Sequence, residues 1–118
     1  MNFSSIPEID VQELSRKLQL DESFVLLDVR EAWELDRAKI TDSRLQVAPM
    51  SRMAQLGIGA LSDEVQDKET EVLVLCHHGV RSAQATQWLR AQGWTNAFSV
   101  RGGIDEYARQ IDASVGKY

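Results

Sequence analysis

Cysteine occurs once in these 118 residues, and histidine and proline twice each. A single thiol excludes an internal disulfide and leaves no second cysteine to resolve a bond formed on the first. Any group carried on Cys76 must therefore leave to an external acceptor. Such cysteine usage suits a reducing compartment, and a cytoplasmic location is expected. One cysteine and two histidines are too few for the usual structural zinc sets, so no metal is expected. No apolar run exceeds five residues, far short of a bilayer span, which argues against a membrane role. The first seven residues lack the basic region and apolar stretch of a signal peptide. Lysine and arginine nowhere cluster and the net charge is −5, which argues against a nucleic-acid partner.

What is present is strand–helix alternation. Asp10 and Glu13 have capping-box spacing, and Val11, Leu14 and Leu18 follow at helical spacing, predicting a helix over 11–20. Phe24 to Val29 and Val72 to Leu75 are short apolar runs without alternation, as in strands buried on both faces of a parallel sheet. Residues 30–37 read as a short helix burying Trp33. Leu45-Gln46-Val47 reads as a strand stopped near Pro49, inside a weakly patterned stretch from Ala38 to Gly59. Ser62 is placed to cap a helix carrying Asp63 and Glu64 in its first turn. A helix beginning at Ser82 carries Ala85, Trp88 and Leu89 on one face and ends near Gly93. Residues 97–100 read as a further buried strand. Ile104, Tyr107, Ala108 and Ile111 then mark a last helix. The pattern predicts one α/β domain over 1–118 with a mainly parallel sheet and helices on both faces. Trp33, Trp88 and Trp94 are expected to pack on the sheet. Met50 and Met53 are expected to fill core or cover a site, and nothing calls for a cofactor.

Ligands of such sheets sit beyond the carboxyl ends of the strands. Cys76 lies at one such end, in Cys76-His77-His78-Gly79-Val80-Arg81-Ser82. A strand-to-helix turn gathers backbone N–H groups and the positive end of a helix, which favours a reactive thiolate. The competing reading is a buried structural cysteine packing as a small hydrophobe. The polar residues that follow are poor core material and favour a nucleophile. Arg30 and Arg101 follow two other strand ends, so a locally positive pocket for a small anion is expected. Asp28 would orient Arg30. Arg81 either braces the loop and keeps charge near the sulfur or pairs with a carboxylate such as Glu31 or Asp28.

This heptapeptide resembles the active-site loop of the rhodanese family of sulfurtransferases. Leu26-Leu27-Asp28-Val29-Arg30-Glu31 with Glu34 is similar to the family's early aspartate–arginine motif. Val100-Arg101-Gly102-Gly103-Ile104 is similar to its late glycine pair. Order and spacing agree over roughly residues 8 to 112. Ala38-Lys39-Ile40 stands where the family usually has Gly-His-Ile, and Tyr107 where tryptophan is frequent, departures that leave the geometry of the middle loop and substrate access open.

The resemblance implies sulfur transfer through a persulfide on Cys76, from a small anionic donor such as thiosulfate to cyanide or a thiol. A protein could also serve as sulfur donor or acceptor. It implies that backbone N–H groups from His77 through Ser82 (His77, His78, Gly79, Val80, Arg81, Ser82) hold the sulfur, with His78 facing the donor and Asp28 and Arg30 in support. Two alternatives stay open. Dual-specificity cysteine phosphatases with a rhodanese-like domain use a loop one residue longer than the four residues separating Cys76 from Arg81 here. A sulfur carrier or partner-binding module without turnover would keep the same residues.

Overall fold

The computed structural model describes residues 6–118. The reading of residues 1–7 as lacking a leader lies mostly outside them. Strands β1 (Glu8–Ile9), β2 (Val25–Asp28), β3 (Leu45–Val47), β4 (Val72–Leu75) and β5 (Ala97–Val100) form one sheet in the order β1-β5-β4-β2-β3. Every strand pair is parallel. Leu26 pairs with Leu73 and Leu27 with Val74, so successive residues of the apolar runs face opposite sides.

That alternation divides the core. Val25, Leu27, Val72, Val74 and Ala97 pack on one side with Met53, Val65, Ala85, Leu89 and Trp94. Leu26, Leu73, Leu75 and Val100 pack on the other with Val11, Leu14, Ile104 and Tyr107. The first side is covered by α3 (Met50–Leu56), α4 (Asp63–Gln66) and α5 (Val80–Ala91), the second by α1 (Val11–Gln19) and α6 (Gly103–Gln110). Every residue of β4 is fully buried, and each such Val or Leu contributes about 1.5–3 kcal/mol in transfer terms. A run apolar at every position is what a sheet covered on both faces requires. The fold is α/β, as expected.

Asp10 Oδ1 accepts the Glu13 N–H at 2.8 Å, capping α1, but the Glu13 carboxylate turns to Arg16 and does not complete the box. Ser62 occupies the N-cap of α4 without a side-chain capping bond. The weak stretch contains α3, with Pro49 as its N-cap. Seven residues of mixed polarity are too few for helical periodicity to stand out. Met53 enters the core, and Met50 lines an apolar cleft between α3 and α5 with Trp88.

Trp33 corrects the expectation of burial. It is on the short helix α2 (Ala32–Leu35) and is 59% exposed, its ring edge meeting Tyr118. Beyond α6 a single 3-10 turn, Ala113–Val115, leads the chain back across the molecule. Lys39 donates its N–H to Val115 O at 2.8 Å, and Ala38 bridges to Gly116. Tyr118 thereby lands beside the loop that follows β4.

Candidate active site

Cys76 follows β4 and is 1% exposed. Its sulfur accepts the N–H of Gly79 at 3.0 Å and of Ser82 at 3.2 Å. The loop reaches this curl because Gly79 has φ +104°, where a side chain would be strained. The helix then starts at Val80, two residues earlier than expected, so Val80, Arg81 and Ser82 form its first turn. Their N–H groups lie among those a helix leaves without an intrahelical acceptor. Of the six N–H groups expected at the sulfur, those of Gly79 and Ser82 reach it. Ser82 also places its hydroxyl 3.4 Å from the sulfur, 3.1 Å from Gly79 O and 2.8 Å from Ser99 Oγ. Ser99, fully buried on β5, had no distinguishing signal within an apolar strand pattern.

The opposite side of the loop is tied to α6. Ile104 donates its N–H to Cys76 O at 2.9 Å, and Asp105 to His77 O at 3.1 Å. The approach is so close that a Cβ on Gly103 would collide with the carbonyl oxygens of His77 and Cys76.

Arg81 points its guanidinium at Glu34, with both terminal nitrogens 2.7 Å from the carboxylate. The partner is neither Glu31 nor Asp28. Hydrogen bonding from Arg81 outweighs desolvation and brings the Glu34 carboxyl down to about 2. Glu34 raises Arg81 in return, and the nearby Cys76 sulfur adds to the electrostatic hold on that guanidinium. Glu34 is itself positioned by local sequence. Its carboxylate accepts the Glu31 N–H at 3.0 Å, completing a capping box at the start of α2. The Glu31-x-x-Glu34 spacing is the signal that could have marked Glu34 as a site residue.

Arg30 corrects the expectation that it lends charge to the pocket. It is fully buried, and its guanidinium is consumed by Asp28 at 2.7 Å, Ala38 O at 2.8 Å, Glu34 O at 3.3 Å and Tyr118 Oη at 3.1 Å. Burial opposes its charge, and the hydrogen bonds it donates to the equally buried Asp28 carboxylate more than offset this. The pair is a brace at the end of β2. Arg101 is 62% exposed in its side chain and stands 3.8 Å from Asp10. With His78, Gly79, Val80 and Gly102 it borders a cavity of about 250 Å³ on the outer side of the loop. Glu8 and Ala83 complete its lining, so this rim carries one arginine and one carboxylate.

His77 lies face to face with Tyr118, centroids 3.8 Å apart and planes 9° apart, and stacks on His78 at 3.8 Å. Burial, then the neighbouring His78, lowers the His77 pKa below its ordinary value. His78 is exposed and stands 3.8 Å from Asp105. Ligand atoms of His77, His78 and Asp105 fall within 4.8 Å of one another. A ring nitrogen offers its lone pair in the ring plane, however, so two stacked imidazoles aim side by side and do not converge on one ion. Val80 is 64% exposed at the mouth of the loop.

Parallel-sheet topology, the loop at the end of β4 and the braces from β2 and α6 together define a rhodanese-like domain. Residues 10–110 match the family described as Rhodanese-like domain, and the chain belongs to that family. It is 32% identical over 96% of its length to the Rhodanese-like/PpiC domain-containing protein 12, chloroplastic, of Arabidopsis thaliana. It is 33% identical, over 76% of its length and 92% of the relative's, to the thiosulfate sulfurtransferase GlpE of Actinobacillus pleuropneumoniae serotype 5b (strain L20). Among solved structures, the human single-domain sulfurtransferase TSTD1 superposes with a TM-score of 0.71 at 26% identity, covering 90% of this chain and 98% of that one. The chain spans 38% of the Arabidopsis protein, and 56% of the putative sulfur carrier protein YrkF of Bacillus subtilis (strain 168). Among the described residues no helix is long and apolar enough to cross a membrane.

Proposed function

We propose that residues 1–118 act as one rhodanese-type sulfurtransferase domain in which Cys76 is the nucleophile. The observation that carries this reading is the lone thiol receiving two backbone N–H groups inside a four-residue cysteine–arginine loop. In the first half-reaction the Cys76 thiolate attacks the outer sulfur of thiosulfate. The sulfur–sulfur bond of the donor breaks, and sulfite leaves with the bonding electron pair. The product is a persulfide anion on Cys76. In the second, cyanide or a thiolate attacks the terminal sulfur, and the Cys76 thiolate leaves and is restored. The negative charge present at every stage is suited to oriented N–H donors. Gly79 and Ser82 support the inner sulfur. The first-turn N–H groups of Val80 and Arg81, with those of His77 and His78, are the donors proposed for the terminal one. The exposed Arg101 and His78 suit them to meet an anionic donor, or the acidic surface of a sulfur-carrying protein. A reducing compartment such as the cytoplasm fits a thiol that must be regenerated.

The engagement of Arg81 favours sulfur over phosphate. A phosphatase loop needs its guanidinium for the phosphoryl oxygens, whereas both terminal nitrogens of Arg81 are held by Glu34. Intact mass after thiosulfate treatment tests the proposal. One sulfur atom is expected on the wild type, removable by cyanide, and none on Cys76→Ser. An unmodified wild type, or a Cys76→Ser protein with undiminished turnover, would overturn it. Faster hydrolysis of aryl phosphates than sulfur transfer would point to the phosphatase instead.

A further inference from the structure

Tyr118 lies far from the site in sequence and nothing in the motifs marks it. Its hydroxyl sits 3.1 Å from Arg30 Nη1 and 2.9 Å from Glu34 Oε1. A guanidinium only donates, so the tyrosine oxygen accepts from Arg30 and its own proton goes to Glu34. The hydroxyl thereby joins two ion pairs, the buried Asp28–Arg30 pair at the end of β2 and the Glu34–Arg81 pair on the loop. The same side chain lies flat on His77, ring centroids 3.8 Å apart. The strap from Ala113 through Gly116 delivers it there.

We infer that Tyr118 is a positioning residue for the chemistry at Cys76: it fixes Glu34, and through it Arg81, to the end of the sheet, and it holds His77 as one wall of the loop. The inference builds on the proposed role of Cys76. A purely structural role would require the Tyr118 hydroxyl to act on folding alone. That is a weak alternative, because Arg30 keeps Asp28, Ala38 O and Glu34 O when the hydroxyl is removed. The loss in Tyr118→Phe falls mainly on Glu34, while the ring stays on His77.

The test is the rate of Cys76 alkylation by iodoacetamide at neutral pH, read by mass on the full chain. Alkylation requires no sulfur transfer, and thiosulfate loading of the wild type is scored separately, so the two proposals fail independently. Tyr118→Phe is expected to slow alkylation by about threefold to tenfold, the reach of one ordinary net hydrogen bond acting through Glu34 and Arg81. In a Glu34→Ala background, where no side-chain acceptor remains for the hydroxyl, it should change the rate by less than about twofold. Should Glu34→Ala not fold, Arg81→Ala removes the same pair from its more exposed side and serves as the background. Equal losses in both backgrounds, or no loss in the wild type, would overturn the inference.

Discussion

Glu34→Gln isolates the pair that holds Arg81, and its effect on stability depends on pH in a calculable way. The folded carboxyl titrates at about 2, against an ordinary value of 4.5, mainly because of hydrogen bonds from Arg81. At about 1.36 kcal/mol per unit, this sets a ceiling near 3 kcal/mol. Glu34 is 4% exposed in its side chain but Arg81 is 34% exposed. Water screens that end of the pair, and about half the ceiling, roughly 1.5 kcal/mol, is the working value. The unfolded chain takes up the proton first as pH falls, so the stabilisation is complete above about pH 4.5 and disappears toward pH 2. Of the two and a half units, about one and a half are lost by pH 3, or roughly three-fifths of the effect. Urea unfolding of wild type and Glu34→Gln between neutral pH and pH 3 measures this directly, since every other group cancels in the difference. A difference that stays constant over that range would refute the assignment of Arg81 as the cause.

Asp28→Asn leaves a buried guanidinium without its countercharge and should cost about 3–5 kcal/mol in chemical denaturation; a loss under about 1 kcal/mol would mean that water reaches Arg30. Gly103→Ala forces a Cβ against two loop carbonyls at φ +65°, so a loss of about 2–3 kcal/mol with slower Cys76 alkylation is expected, and wild-type behaviour in both would contradict the close approach of α6. Trp94→Ala should cost about 3–5 kcal/mol and Trp33→Ala under about 1 kcal/mol in thermal or urea unfolding, because the first ring is fully buried and the second mostly in water.

The strands were legible because a sheet covered on both faces needs unbroken apolar runs, and Val72 to Leu75 has no other reading. Helices α1 and α6 announced themselves through spacing long enough to count. The α3 segment did not, because only Met53 among its seven residues enters the core. Trp33 misled for a related reason: a four-residue helix has too little surface to commit an aromatic ring to either side. The position of Cys76 beyond a strand end was readable from topology. The partner of Arg81 was not, because a carboxylate 47 residues away is chosen by three-dimensional packing, and three acidic residues around α2 were equally close in sequence. Tyr118 carried no signal at all, since its place depends on a turn at Ala113–Val115 and one bridge to Ala38.

The bonds from the start of α6 to the carbonyls of Cys76 and His77 act as a polariser. A peptide unit is a rigid plate with its carbonyl on one edge and its N–H on the other. Drawing the two carbonyls toward α6 turns the N–H edges of His77 and His78 the other way. Part of the loop's electrical sign is thus set by a helix from a different part of the chain, beside the N–H groups that Gly79 and the first turn of α5 supply. The side chains of His78 and Val80, both exposed, can therefore vary while the orientation of those N–H groups persists. A change at Gly103 has no such freedom, because it would release the plates and let them rotate.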